Sequence, residues 1–118
     1  MPKTKIIQGE IVLPTGNVPA EPVDVVIYVE DVSRADAPSI VVGMQRQHGV
    51  LLHAGSMVQF VVEIPVELVD QRRSYSVRAH IDVSGSGEVK VGDFVSTQTY
   101  PVLTHGHGTS VYVSVKRV

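Results

Sequence analysis

The chain has no cysteine and no tryptophan, and its 118 residues include only four tyrosines and two phenylalanines. Without cysteine there is no disulfide framework, thiolate nucleophile or thiolate metal site, and cysteine usage says nothing about redox compartment. The immunoglobulin signature of a tryptophan packed on a bridging cystine is excluded as well. No apolar run approaches the ~20 residues of a membrane-spanning helix. The start, MPKTKIIQGE, lacks the apolar stretch and small-residue cleavage site of a secretory signal. A dominant charge is missing too: ten Lys and Arg stand against twelve Asp and Glu, a net charge of −2 at pH 7. A nucleic-acid binder carries a strongly basic face, so no nucleic-acid partner is expected.

What the chain has in excess is valine, which fills about a fifth of the positions. Branching at Cβ suits a pleated, half-buried surface and costs χ1 freedom in a helix, so the composition points to β structure. Alternation supports this. Tyr75, Val77, Ala79, Ile81 and Val83 share one parity, and Ser76, Arg78, His80 and Asp82 share the other, which predicts a strand with one buried and one wet face. The same pattern marks Val58 to Ile64 and Val23 to Val29. It is weaker over Ile7 to Leu13, Ile40 to Met44, Val89 to Tyr100 and Val111 to Val115. Turn-forming residues lie between these segments. PVELVDQRR, from Pro65 to Arg73, has proline preset for a first helical position and is expected to form a single helical turn. About seven short, mostly antiparallel strands with no long helical period predict an all-β, two-sheet sandwich, a single domain over residues 1–118.

The charged break EDVSRADAPS, residues 30–39, raises the question of a site. Asp31, Ser33 and Asp36 are spaced somewhat like calcium ligands, but a calcium loop needs more carboxylates and a glycine, and Arg34 would put a cation in the shell. A structural turn explains the stretch better. Asp31, Ser33 and Asp36 can bond nearby backbone amides, and Pro38 returns the chain to extended geometry. In THGHGTS, His105 and His107 at i and i+2 are the candidates for Cu²⁺ or Zn²⁺, with His48, His53 or His80 recruited as further ligands. Two imidazoles do not fill a tetrahedral site, so no cofactor is expected and metal binding is the alternative reading.

No catalytic constellation is present: there is no nucleophile elbow, phosphate-cradling loop or close carboxylate pair on neighbouring strands. Gly85 and Gly87 belong to a strand-to-strand turn, and Asp70, Arg72 and Arg73 form a solvated charge cluster. On parity, Val26, Tyr28, Val41 and Val61 point outward and mark an apolar patch that a protein partner would cover.

Asp31-Val32-Ser33, Ala35-Asp36-Ala37-Pro38, Tyr75-Ser76-Val77-Arg78-Ala79 and Tyr100-Pro101-Val102-Leu103-Thr104 occur in this order. Over nearly the whole chain from Ile7 onward, this arrangement resembles the YbaY/YscW-like family of bacterial envelope lipoproteins. The resemblance implies a non-enzymatic β-sandwich, and in one branch a lipoprotein chaperone, or pilotin, for the outer-membrane secretin of type III secretion. Family pilotins are tethered through a lipidated N-terminal cysteine, which is absent here. The expectation is therefore the periplasmic side of the envelope if a lipidated leader was removed, and the cytoplasm otherwise. An unidentified protein partner, bound through a sheet face or an exposed edge strand, is the functional expectation; the oligomeric state is left open.

Overall fold

A computed structural model describes residues 3–34 and 36–118; Ala35, part of one family-like motif, lies outside the described residues. Eight strands follow in order: β1 (Thr4–Val12), β2 (Val23–Asp31), β3 (Ile40–Val50), β4 (Met57–Pro65), β5 (Tyr75–Asp82), β6 (Phe94–Ser96), β7 (Pro101–Val102) and β8 (Ser110–Arg117). The helical turn expected after Pro65 is a 3₁₀ turn, Val66–Leu68. Buried Tyr75 pins it from below: its hydroxyl donates to the Leu68 carbonyl at 3.1 Å and accepts the Asp70 N–H at 2.8 Å. No helix among the described residues is long and apolar enough to cross a membrane.

The strands hydrogen-bond in the order β3-β2-β5-β6-β8-β1-β4, with β7 also on β5. The fold is all-β as the alternation predicts, but the two layers of a sandwich are here one continuous, nearly closed barrel-like sheet. β8 makes the join. Its first half runs parallel to β1, Ser110–Ser114 beside Gln8–Val12, and its second half turns antiparallel to β6, Val115–Arg117 against Phe94–Ser96. A strand that serves two sheets forms a corner. The inward parity of β1, β2, β4 and β5 fills the interior: Ile7, Ile11, Val25, Ile27, Val62, Ile64, Ala79 and Ile81 are fully buried.

Three segments depart from the expected pattern. β3 continues past Met44 through Gln45-Arg46-Gln47-His48 to Val50, a polar stretch that alternation in hydrophobicity cannot reveal. Val89 to Tyr100 is strand only at Phe94–Ser96, because Gly92 takes φ +98° and the chain before it folds around Asp93. The outward parity of β5 is not solvated: Ser76, His80 and Asp82 are buried. Segment 83–100 covers this edge, with the Tyr100 N–H donating to Ser76 Oγ and the Ala79 N–H to Ser96 Oγ.

β3 and β4 end the strand order at opposite sides and meet edge to edge, with no backbone ladder between them among the described residues. Gly43 makes the approach possible. A Cβ there would stand 2.8 Å from Ile64 Cγ1 and 3.2 Å from the Glu63 carbonyl oxygen.

Candidate functional site

Asp31 ends β2 on one side of the molecule, next to the entry of β5. Its Oδ1 accepts the Ser33 N–H at 3.0 Å and the Ser33 hydroxyl at 2.6 Å, while Oδ2 accepts Arg73 Nη1 at 3.0 Å. Ser33 Oγ in turn accepts the Ser74 N–H at 2.8 Å, so the two residues join the β2–β3 connection to the segment before β5. Burial alone would raise the Asp31 carboxyl; the bonds from Ser33 and Arg73 outweigh it and hold the carboxyl below its ordinary value. Asp36 and Pro38 are exposed and outside this clamp. Asp70 lies beside it, lowered to about 2 by the Arg72 side chain and amide. Open depressions around Arg34 and Arg73 flank the clamp.

His105 and His107 sit in the exposed turn between β7 and β8. The turn is held by its own backbone, Leu103 N–H to the Gly108 carbonyl and His107 N–H to the Thr104 carbonyl, with His105 at φ +56°. Among the described residues, the grouping of three or more possible metal-ligand side chains is His80, Asp82 and Asp93, within 4.8 Å of one another, and neither turn histidine belongs to it.

That cluster was not singled out by sequence reasoning. Its lone pairs are already in use. Asp93, fully buried, accepts the Val83 and Ser84 N–H groups on Oδ1 at 2.9 and 3.2 Å, and His80 Nε2 and the Lys90 N–H on Oδ2 at 2.8 and 3.1 Å. A carboxylate can only accept, so Nε2 of His80 carries the proton in this bond. Asp82 accepts the Gly85 and Gly87 N–H groups at 3.0 and 2.9 Å and the Ser84 hydroxyl at 3.2 Å. Burial would raise the Asp93 carboxyl; the bonds from His80 and three amides overcome it and hold the carboxyl below its ordinary value. This arrangement folds the 83–93 loop and commits both carboxylates to it. The sequence signal was the run SGSG, Ser84 to Gly87, which reads as a turn; Asp93 falls in the segment from Val89 to Tyr100 that was expected to be strand.

The four residues expected to point outward divide into two kinds. Val41 and Val61 are 47% and 44% exposed, and Met44 beside them is 52% exposed. Tyr28 is half-buried under Arg78, whose guanidinium carbon lies 4.1 Å from the ring centroid and whose Nε and Nη2 donate to Glu30 at 3.0 and 3.1 Å. Val26 corrects the expectation. Its parity is outward, between Arg46 and His80 in register, but it is 2% exposed because both neighbouring strands carry long side chains over it.

Of the exposed apolar side chains, Val41, Met44 and Val61 belong to the two strands of the β3–β4 junction, while others, such as Leu51 and Val91, lie elsewhere. At the junction the contacts are side chain to backbone: Gln47 Nε2 donates to the Gln59 carbonyl at 2.8 Å, and the Val61 N–H donates to Gln45 Oε1 at 3.1 Å. Gln47 Nε2 also donates to Gln45 Oε1 at 3.1 Å. Next to the junction, a shallow depression of about 320 Å³ crosses β4, β1 and β8, between Gln59–Val61, Gln8–Glu10 and Ser110–Tyr112. Tyr112, 68% exposed, stands at its side. This β3–β4–β1–β8 surface offers apolar and aromatic contact from Val61 and Tyr112 around polar Gln8, Gln59 and Glu10.

Residues 2–115 match the family model described as type III secretion system lipoprotein chaperone (YscW). Among solved structures, the chain is similar to an alternative pilotin from the type II secretion system of Vibrio cholerae, with a TM-score of 0.79, 24% identity and 98% of each chain covered. No curated protein matches the chain.

Proposed function

Because this chain belongs to the type III secretion system lipoprotein chaperone (YscW) family, we propose that it is a non-enzymatic chaperone-like module that binds a protein component of a secretion machine on the periplasmic side of the bacterial envelope. The outer-membrane secretin subunit is the partner that this reading names. The observation carrying it is the exposed Val41, Met44, Val61 and Tyr112 surface around the β3–β4 junction. A soluble partner-free face has little reason to hold these side chains in water, and interfaces are enriched in Tyr and Met. A non-catalytic reading is supported by Asp82 and Asp93, whose carboxylates are committed to loop amides and to His80 Nε2.

The test is co-expression with the secretin subunit encoded in the same genome, with a variant carrying Val61→Asp and Met44→Asp alongside. Both substitutions are on exposed positions and leave the core untouched. Native protein is expected to co-purify with the secretin and to raise the yield of assembled rings, and the double variant to do neither. Equal ring yield with and without the native chain, and no co-purification, would overturn the reading.

A further inference from the structure

We propose that the β3–β4 junction is a strand-addition site, at which a short extended peptide pairs with the β4 edge at Gln59–Val61 by displacing the Gln45 and Gln47 side-chain amides. The inference rests on the protein-binding reading only for the identity of the chain that supplies the peptide.

The argument begins with hydrogen bonds. In an antiparallel strand, alternate residues turn their N–H and C=O to opposite neighbours. On β4 the groups turned away from β1 include the Val61 N–H and the Gln59 carbonyl, and both are bonded by glutamine side chains of β3. A glutamine terminus is a primary amide, the same donor–acceptor chemistry as a peptide group. Gln45 supplies the acceptor, Gln47 the donor, and a bond between them sets their spacing. Two flexible side chains thus occupy the place of one peptide unit of a neighbouring strand.

Such a substitute is weaker than the strand it imitates. Each glutamine gives up rotamer freedom to make one or two bonds, whereas an incoming backbone already restricted to extended geometry makes the same bonds and adds its own side-chain contacts. The junction also has a direction. It is tight at Gly43, where a Cβ would overlap Ile64, and it is spanned further along by the Gln47 side chain reaching the Gln59 carbonyl. A peptide therefore enters at the glutamine end, and only a few of its residues engage. Parity then defines its chemistry. Side chains turned inward share the face of buried Val58, Phe60 and Val62, and those turned outward share the exposed face of Gln59 and Val61. The fitting ligand is an uncharged extended segment with an apolar residue at every second position. A helix is the poorer occupant, since it satisfies its own backbone groups and leaves the β4 edge unserved.

The experiment uses the full chain, ¹⁵N-labelled, and the capped peptide Lys-Thr-Val-Thr-Val-Thr-Val-Thr-Lys as probe. Saturable shifts are expected at the Gln59 and Val61 amides and at the Gln45 and Gln47 side-chain NH₂ signals. Hydrogen exchange at Val61 should persist as slow or become slower. A peptide N-methylated at alternate residues, which cannot donate along one edge, is expected to bind at least about tenfold more weakly, the equivalent of losing a single well-made bond. Gln45→Ser with Gln47→Ser removes the competitors and is expected to tighten binding by about tenfold on the same scale. Absence of shifts at Gln59 and Val61 at saturating peptide, shifts confined to Tyr112 and Met44, or indifference to N-methylation would each overturn the proposal. The N-methyl comparison needs no variant, so it decides even where the double substitution fails to fold. Secretin co-purification with the native chain, when saturating peptide moves neither the Gln59 nor the Val61 amide, sinks the strand-addition site and leaves the functional reading intact. Peptide addition without secretin binding does the reverse.

Discussion

Asp93 shows how much one buried carboxylate can organise. Four donors converge on its two oxygens, from Val83, Ser84, His80 and Lys90, and its own backbone bonds Lys90 and Val118. Asp93→Asn keeps an acceptor for one pair of donors and turns an NH₂ group towards the other. Donor then faces donor in a dry site, and a cost of about 3 kcal/mol is expected, the scale for breaking a buried charged bond network; urea denaturation would measure it. A midpoint within error of the native protein would show that the loop does not depend on the charge. Asp31→Ala is milder, since Arg73 is 44% exposed and water replaces part of what is lost. About 1 kcal/mol is expected, with a matching drop in melting temperature. Both sites differ in how they could be foreseen. The bond from Ser33 to Asp31 spans two residues, so turn chemistry predicts it from the sequence. The bond from His80 to Asp93 spans thirteen residues through an irregular loop, and no periodicity relates the two; parity alone put His80 in water.

At the scale of elements, alternation reveals a strand only when its two faces meet different media. β4 satisfied that condition and was legible; β5 was legible because its outward positions Ser76, Arg78, His80 and Asp82 are polar, although segment 83–100 covers that face. β3 beyond Met44 did not meet the condition, since its inward positions Gln45 and Gln47 serve the junction with β4 instead of the core. β8 looked like one plain strand, and nothing local shows that its halves pair with different neighbours. That is why a sandwich was expected where the sheet is barrel-like. The junction itself depends on Gly43. Gly43→Ala would push a methyl group into Ile64 Cγ1 and against the Glu63 carbonyl. A loss of about 1–3 kcal/mol is expected, the range for overpacking, with faster amide exchange at Gln45 to Gln47 than at β2 or β5. Uniform acceleration across all strands would mean that the junction does not open on its own.

For the molecule as a whole, the lowered carboxyls fix how stability depends on pH. Asp31, Asp70 and Asp93 all hold their protons less tightly when folded than their ordinary value of 3.8. Unfolding in acid therefore takes up protons, and stability falls as pH falls through this range. Above about pH 5, all three are ionised in both states and contribute a constant amount. The expected urea midpoint is flat from pH 7 to about pH 5, begins to drop near pH 4, and continues to drop towards pH 2, where Asp70 titrates in the folded state. Most of this slope should come from Asp93 and Asp31, because Asp70 and Arg72 face solvent and their attraction is screened. Asp93→Asn, already destabilised, should accordingly show a shallower acid limb, and added salt should change that limb little. A native midpoint that stays level down to pH 3, or an Asp93→Asn limb as steep as the native one, would mean that the loop carboxylate is not what couples stability to acid.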